Sequence, residues 1–484
     1  MNTRFLYVAI LLISFTIFQR CTSGTTDQAD QPDTSRPNIV IIFTDDQGYQ
    51  DLGSFGSPDI QTPNLDQMAS EGIRFTQFYD AQPVCSASRC GLLTGCYPNR
   101  LGIHGALGPG AKAVLNHNET TIAELVKPLG YATAIFGKWH LGDGKEYLPI
   151  HHGFDEYFGL PYSNDMWPKH PENPENWPRL PVIEGDSVLQ YLDDDQNMLT
   201  TWYTERAVSF IERNKDKPFF LYVAHNMPHV PLFVSDKFRG TSERGLYGDV
   251  IAEIDWSYQQ INEALKRNNI EENTLIIFTS DNGPWLSYGT HSGSALPLRE
   301  GKGTTWEGGV RVPCIMKWPA VIGQGVEQKE PAMTIDILPT LAEILKVDLP
   351  TLPIDGKSVL PLVLNKADAT NPHEAYYYYY NRNELQAVLS GDGRWKLYLP
   401  HRYRSLEGQV GRDDGIPIKY NYNMQVGLEL YDLENDISET KDVAAQYPEI
   451  VERLSILADS CRVRLGDALT GVEGRDNREP GRLL

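Results

Sequence analysis

The sequence predicts an α/β protein whose large, mixed but mostly parallel sheet lies between helices, with a smaller C-terminal part of antiparallel sheet plus helix. Two observations predict this fold. In the first part of the chain, four short runs of β-branched and aromatic residues alternate with helical patterns, which is typical of parallel strands buried on both faces. After about residue 370, short strands follow one another directly, with SGDGR as one of the turns.

Each of the four apolar runs ends at ionisable or polar side chains. The runs and the residues after them are residues 38–44 (NIVIIFT, then Asp45 and Asp46), 131–136 (YATAIF, then Lys138 and His140), 218–224 (PFFLYVA, then His225 and His229) and 274–279 (TLIIFT, then Asp281 and Asn282). Ligands of open α/β sheets bind at the carboxyl ends of the strands, so we expect these side chains to surround one site. The alternative is that such residues only form the turns that follow strands.

The C-terminal region has the pattern of an antiparallel sheet with one helix. Five consecutive tyrosines, at residues 376–380, are expected in a strand, where their side chains alternate between the two faces. The segment PEIVERLSILADSCRVRL has a helical pattern and is expected to pack on the sheet. We therefore predict a main domain over residues 37–370, which carries the candidate site, and an α+β subdomain over residues 371–484.

The N-terminus predicts export. Arg4 precedes the apolar run of residues 5–18, which is too short to span a bilayer and matches a secretory signal over residues 1–21. Cys21 stands where a lipidated cysteine would stand, although Gln19 and Arg20 are larger than the residues usual there, so a lipid anchor stays open. Residues 22–36 lack apolar periodicity and predict a flexible tether.

Composition limits the function classes. The chain has 484 residues and a net charge of −21, which argues against a nucleic-acid binder, since such proteins carry basic surfaces. An acidic protein that binds an anion must concentrate its positive charge locally. The six cysteines are too sparse for a disulfide scaffold, and no C-x-x-C spacing indicates zinc.

Two groups of residues suggest a metal site and an anion site. Oxygen ligands for one hard cation, Ca²⁺ or Mg²⁺, are offered by Asp45, Asp46, Asp281 and Asn282, provided that their two strands are neighbours. A pocket for a tetrahedral anion, sulfate or phosphate, could be formed by Arg89, Lys138, His140, His229 and Lys302. For each residue alone, a solvated turn or a surface position is the plainer interpretation.

Cys85 opens the segment CSASRCGLLTG, which predicts the start of a helix with Arg89 one turn further on. A helix N-terminus and a nearby arginine are both expected to lower the pKa of the thiol. Spacing alone leaves open whether Cys85 is a disulfide half, a metal ligand, a nucleophile or a modified residue.

This segment resembles the signature of the sulfatases, C-x-[PA]-S-R followed by L-T-G, with Ala87 in place of the commoner proline. Further motifs in the same order extend the resemblance from about residue 38 to 440: NIVIIFTDDQG, GKWHLG, HHGFDEYFGLPYSND, HNMPH, SDNGP, GKGTTWEGGVRVP and LYDLENDISET. They are similar to those of the arylsulfatase A and N-acetylgalactosamine-6-sulfatase branch. The resemblance implies an alkaline-phosphatase-like fold and a Cys85 that a maturation enzyme oxidises to formylglycine.

The resemblance also implies a metal, usually calcium, with magnesium open as well. Its ligands would be Asp45, Asp46, Asp281, Asn282 and the hydrated formylglycine at Cys85. Arg89 and Lys138 would orient that hydrate, one of whose oxygens would attack sulfur.

The remaining site residues are likewise assigned by resemblance. Lys302 and His229 would contact the sulfate, and His229 would protonate the leaving oxygen of the sugar. His140 would remove a proton from the hydrate to release sulfate. Ser163, in PYSND, would add a contact to the sulfate or the hydrate, and His104, in RLGIHG, is a candidate substrate contact.

We therefore expect an exported sulfatase, periplasmic or lipid-anchored at the cell envelope, that acts on sulfated carbohydrate. The branch favours galactose or N-acetylgalactosamine 4- or 6-sulfate in glycosaminoglycan, mucin or algal glycans. Sugar specificity is expected to depend on loops such as residues 167–192 and on the C-terminal subdomain. Two alternatives remain, a formylglycine-dependent phosphonate or phosphodiester hydrolase and a non-catalytic sulfoglycan-binding protein with an unmodified Cys85.

Overall fold

The computed structural model describes residues 34–483. The predicted signal, Cys21 and nearly all of the predicted tether lie outside these residues. The strands of the main part are β1 (Asn38–Thr44), β2 (Ile73–Tyr79), β3 (Ala113–Val114), β4 (Ala132–Gly137), β5 (Glu156–Gly159), β6 (Leu180–Glu184), β7 (Ser187–Leu192), β8 (Phe219–Ala224), β9 (Thr274–Ser280), β10 (Arg311–Lys317), β11 (Val326–Gln328) and β12 (Ala332–Met333).

The later strands and the helices complete the fold. The strands are β13 (Ala375–Tyr380), β14 (Glu384–Ser390), β15 (Trp395–Tyr398), β16 (His401–Ser405), β17 (Asn421–Val426), β18 (Glu429–Asp432) and β19 (Gly481–Arg482). The α-helices are α1 (Pro63–Glu71), α2 (Cys85–Thr94), α3 (Ile122–Val126), α4 (Leu199–Asn214), α5 (Leu246–Arg267), α6 (Glu307–Val310), α7 (Ile337–Leu345), α8 (Leu360–Val363) and α9 (Pro448–Leu465). Among the described residues, no helix is long and apolar enough to cross a membrane.

The main sheet follows the order β11-β2-β10-β9-β1-β8-β4-β5-β6-β7, and β12 also pairs with β2. Its centre, from β9 to β5, is parallel, whereas β10, β6 and β7 run antiparallel to their neighbours. The four apolar runs of the sequence form β1, β4, β8 and β9, which are adjacent in this centre. The predicted mixed, mostly parallel sheet is confirmed.

Both faces of the sheet are covered, which explains why its strands are almost uninterruptedly apolar. In β1, Val40 and Ile42 pack into one core with α1, α4 and α5, whereas Ile39 and Ile41 pack into a second core with α2, α3 and α7. Because helices cover both faces, the polar loops of the sheet lie at the ends of its strands. This is the edge at which the candidate residues emerge.

The C-terminal part contains an antiparallel sheet in the order β13-β14-β15-β18, with α9 packed against it, as predicted. The expected alternation of the tyrosines is wrong at one point. A bulge between Tyr378 and Tyr379 interrupts the pairing of β13 with β14, so that both side chains are buried. The described residues on both sides of position 370 belong to one compact unit, and the boundary at 370/371 stays a prediction.

Candidate active site

The pairs Asp45–Asp46 and Asp281–Asn282 meet at the ends of neighbouring strands. Thr44 of β1 is paired with Ser280 of β9, so the residues that follow them leave the sheet side by side. The backbone N–H of Asp46 donates to Oδ1 of Asp281 (3.0 Å), and Nδ2 of Asn282 donates to Oδ1 of Asp46 (2.7 Å). The neighbouring strands that the metal hypothesis requires are therefore present.

Two buried cations compensate these carboxylates. Nζ of Lys138, which follows β4, donates to Oδ2 of Asp45 and to Oγ of Ser163 (3.1 Å). On α2, Nη2 of Arg89 donates to Oδ2 of Asp281 (2.9 Å) and lies 3.5 Å from Oδ2 of Asp45. Burial is the largest influence and would lower the pKa of Lys138, but the nearby acidic groups, Asp45 first among them, together raise that pKa, so the lysine stays charged.

Lys302 joins the acidic pairs to Cys85. Its Nζ lies 2.7 Å from Oδ1 of Asp46 and 3.3 Å from Sγ of Cys85, the first residue of α2. In the sequence, Lys302 does not directly follow a predicted strand, so its position could not be inferred. In the fold, its backbone N–H donates to the carbonyl of Pro284, two residues after Asn282 (2.9 Å), and this hydrogen bond positions the lysine at the site.

The expectation that the thiol of Cys85 has a lowered pKa is wrong. Cys85 does lie at the N-terminus of a helix, but burial and then the charge of Asp45 raise its pKa to about 12, despite Lys138 and Lys302. Burial removes water from the thiolate and destabilises it more than the nearby positive charges stabilise it. An unmodified Cys85 is thus a neutral thiol at pH 7 and a poor nucleophile.

The two histidines present different atoms to the site. Nε2 of His140 lies 2.8 Å from the carbonyl of Leu107, which can only accept, so Nε2 carries the proton, and the buried Nδ1 has no hydrogen-bond partner among the described residues. Burial and then the charge of Lys138 hold the pKa of His140 well below its ordinary value. Nδ1 of His229 donates to the carbonyl of Val230, and its Nε2 lies 3.6 Å from Oδ2 of Asp46.

The donor set fits a hard divalent cation. Oδ1 of Asp45 and Oδ1 of Asn282 are buried and have no hydrogen-bond partner among the described residues. Ligand atoms of Asp45, Asp46, Cys85 and His229 lie within 4.8 Å of one another. Unpaired buried oxygens are costly, and a cation coordinated by them would remove that cost.

The contact of His104 with substrate stays a prediction, and the sequence missed one contributor to the site. His104 is exposed and makes no hydrogen bond to the described residues of this site. Trp285, which the sequence did not single out, packs its ring 5.5 Å from that of His229 and 4.7 Å from Nζ of Lys302. Its position directly after SDNGP was the available signal. His225 is buried against Ser257 instead and contributes to packing.

Comparisons with known proteins identify the family of the chain. Residues 37–347 match the family model described as Sulfatase, and residues 301–399 match the one described as N-sulphoglucosamine sulphohydrolase, C-terminal. The chain therefore belongs to the sulfatase family and is a sulfuric ester hydrolase. Proteins of this family generally use formylglycine and a divalent metal.

Three similar proteins show which sulfatases the chain resembles. It is 39% identical to arylsulfatase A of Bos taurus over 384 residues, 75% of this chain and 75% of the relative. It is 38% identical to N-acetylgalactosamine-6-sulfatase of Rattus norvegicus over 381 residues, 75% of this chain and 71% of the relative. The crystal structure of Ps i-CgsB in complex with k-i-k-neocarrahexaose has a TM-score of 0.74 at 28% identity, over 93% of this chain and 95% of that chain.

Proposed function

We propose that the protein hydrolyses sulfate esters of carbohydrates, with Cys85 converted to formylglycine and a calcium ion held by Asp45, Asp46, Asp281 and Asn282. The observation that carries the proposal is the position of Lys302, whose Nζ contacts both Asp46 and Cys85. One ammonium group thus contacts both a cation ligand and the reacting residue.

 The same group can therefore bind an oxygen of a sulfate that lies between the cation ligands and residue 85.

When bound, the divalent cation would stabilise negative charge on the sulfate oxygens, and formylglycine would supply the nucleophilic oxygen of its hydrate. The residues of the chain do the rest. Arg89 and Lys138 hold the carboxylates of Asp281 and Asp45 in place, and the buried ammonium group of Lys302 contacts the sulfate.

The histidines move protons in this proposal. His229 delivers a proton through Nε2 to the oxygen that leaves with the sugar, because its Nδ1 is engaged with the carbonyl of Val230. His140 is neutral and its free Nδ1 accepts a proton from a hydroxyl group at position 85, which allows sulfate to leave. The hydroxyl of Ser163, which accepts a hydrogen bond from Lys138, would contact the sulfate or the hydrate at position 85.

The substrate and the location are also proposals. Relatives named arylsulfatase A and N-acetylgalactosamine-6-sulfatase, and a neighbour bound to a neocarrahexaose, support galactose or N-acetylgalactosamine 4- or 6-sulfate within a glycan. We propose export on the basis of the apolar run at residues 5–18, with Cys21 as the residue to which a lipid would be attached. Cell fractionation and labelling with a radioactive fatty acid, comparing Cys21→Ser with the unchanged chain, tests both.

The reaction is tested by comparing two matched substrates. The enzyme should hydrolyse 4-nitrophenyl sulfate faster than a 4-nitrophenyl phosphonate, and a panel of sulfated monosaccharides and disaccharides should identify the sugar. Preference for the phosphonate would favour the alternative hydrolase. An unmodified Cys85 in protein isolated from the native host, together with no turnover of any sulfate ester, would favour the binding protein.

A further inference from the structure

A second polar cavity, of about 310 Å³, lies between the C-terminal strands and the loop that carries Lys302. The lining residues that matter here are Gly303, Tyr380, Arg402, Arg404 and Tyr422. We refer to it as the arginine cavity. It is separate from the residues assigned above to the sulfate, the cation and the proton transfers.

The strand β16 directs both arginines to this cavity. Side chains alternate along a strand, and in β16 His401 and Tyr403 are buried, whereas Arg402 is exposed and Arg404 is half-buried. Neither guanidinium group forms an ion pair with a carboxylate among the described residues. The cavity also contains Glu384, whose carboxylate accepts a hydrogen bond from Nε2 of Gln386 (2.9 Å).

Arg404 connects the arginine cavity to the reaction site. Its Nε donates to the backbone carbonyl of Lys302 (3.0 Å), while Nζ of the same lysine lies 3.3 Å from Sγ of Cys85. The next residue, Gly303, has its backbone N–H bonded to the carbonyl of Pro83, two residues before Cys85 (2.9 Å). Lys302 therefore links the two places, since its backbone carbonyl contacts Arg404 and its ammonium group contacts Cys85.

The chemistry of the cavity suits a charged sugar. Guanidinium groups bind sulfate and carboxylate oxygens through paired hydrogen bonds, and in a chain of net charge −21 two of them without a carboxylate partner form a local positive site. Tyr422 is 63% exposed and offers an aromatic face, and the guanidinium of Arg404 lies 4.5 Å above the ring of Tyr420.

We infer that the arginine cavity is a second anion subsite, which binds a sulfate or carboxylate group on the sugar next to the one whose sulfate is removed. The inference rests on the proposed function for its orientation, because it takes the first sulfate to lie beside Cys85. Such a subsite gives the protein a preference for glycans with more than one negative charge. Arg402 is the residue that would make this contact, because its guanidinium group has no ion-pair partner among residues 34–483.

The test is direct binding, measured by calorimetry on a Cys85→Ala background so that no substrate is consumed. The three probes are galactose 6-sulfate, with one sulfate, a chondroitin 6-sulfate disaccharide, with a sulfate and a carboxylate, and a disulfated neocarrabiose. Arg402→Gln should leave the affinity for galactose 6-sulfate unchanged. It should lower the affinity for one or both disaccharides by about 5- to 20-fold, as expected for loss of a charge-assisted hydrogen bond. The disaccharide that is weakened identifies the anion.

The matched control is Arg453→Gln, which removes an exposed arginine from α9, away from the arginine cavity, and should change none of the three affinities. The inference is overturned if Arg402→Gln weakens no probe, if it weakens all three equally, or if the unchanged site binds the disaccharides no more tightly than the monosaccharide. Failure of the proposed function is distinguishable, because it would appear as a lack of turnover of sulfate esters by the modified enzyme. These affinities do not depend on turnover.

Discussion

The ammonium group of Lys302 lies 3.3 Å from the sulfur of Cys85, although the two residues are 217 positions apart in the chain. The same group is 2.7 Å from Asp46, so it binds the acidic cluster and the reacting residue together. A buried cation in this position is suited to hold an anion against residue 85.

Replacing Lys302 by glutamine should lower kcat/KM for 4-nitrophenyl sulfate by about 10²- to 10³-fold, because a fixed positive charge beside the sulfate is lost. Steady-state kinetics measures this loss, and thermal unfolding checks that the variant is folded. The matched control is Lys237→Gln, since Lys237 is exposed and lies over the ring of Trp256. A Lys302→Gln enzyme with the activity of the control would contradict the assignment.

Replacing His229 by glutamine should affect substrates according to their leaving group. With galactose 6-sulfate the rate should fall by about 10²- to 10⁴-fold, because an alkoxide requires protonation as it leaves. With 4-nitrophenyl sulfate the loss should be at least about tenfold smaller, because nitrophenolate is stable without a proton.

Rates for both substrates, with the exposed His151→Gln as control, provide the comparison. An equal loss on the two substrates would show that His229 binds the sulfate without acting as the acid.

Asn282 should contribute to cation binding through its unpaired Oδ1. Calcium at about 100 times its dissociation constant should stabilise the chelator-treated protein by about 2.7 kcal/mol, since it binds only the folded state. Asn282→Leu should lose most of this stabilisation, whereas Asn282→Asp, which retains an oxygen ligand, should keep it.

Unfolding with and without calcium, together with the metal content, measures the effect, and Asn262→Leu on α5 is the buried control. A full response of Asn282→Leu to calcium would remove Asn282 from the ligand set.

His152 should make the protein less stable in acid. Burial, and then the nearby His117, lower the pKa of His152 to about 3, and its ring stacks on that of His117. The unfolded chain binds a proton below about pH 6.5 and the folded protein does not, so stability is complete above that pH and is lost as the pH falls towards 3. The slope from this residue is at most about 1.4 kcal/mol per pH unit.

Urea unfolding at several pH values between 7 and 4 checks this expectation. His152→Phe should show a smaller loss of stability over this range than the unchanged protein. The adjacent and exposed His151→Phe should behave like the unchanged protein. If His152→Phe loses as much stability in acid, the buried neutral histidine is not the cause.

The parallel centre of the sheet and the acidic edge of the site could be predicted from sequence, because the same property determines both. A strand buried on both faces must be apolar throughout, so its end is visible where Asp45 or Asp281 begins. That these two ends are neighbours required the pairing of Thr44 with Ser280, which the sequence does not contain. The role of each residue came from resemblance and not from spacing.

Other features depend on contacts between distant segments. The raised pKa of Cys85 reflects burial by parts of the chain that the local helix signal does not reveal. The contact of Arg404 with the carbonyl of Lys302 joins residues 102 positions apart, and no motif marks it. The bulge at Tyr378 and Tyr379 depends on the partner strand β14. Local patterns predict elements, whereas these features arise when the elements pack.

The mass of the peptide that contains Cys85, from protein isolated in its native host, tests the central claim most directly. Conversion of the thiol to an aldehyde should make this peptide about 18 Da lighter than the unmodified sequence requires. A preparation that turns over sulfate esters while Cys85 retains the mass of cysteine would contradict the account.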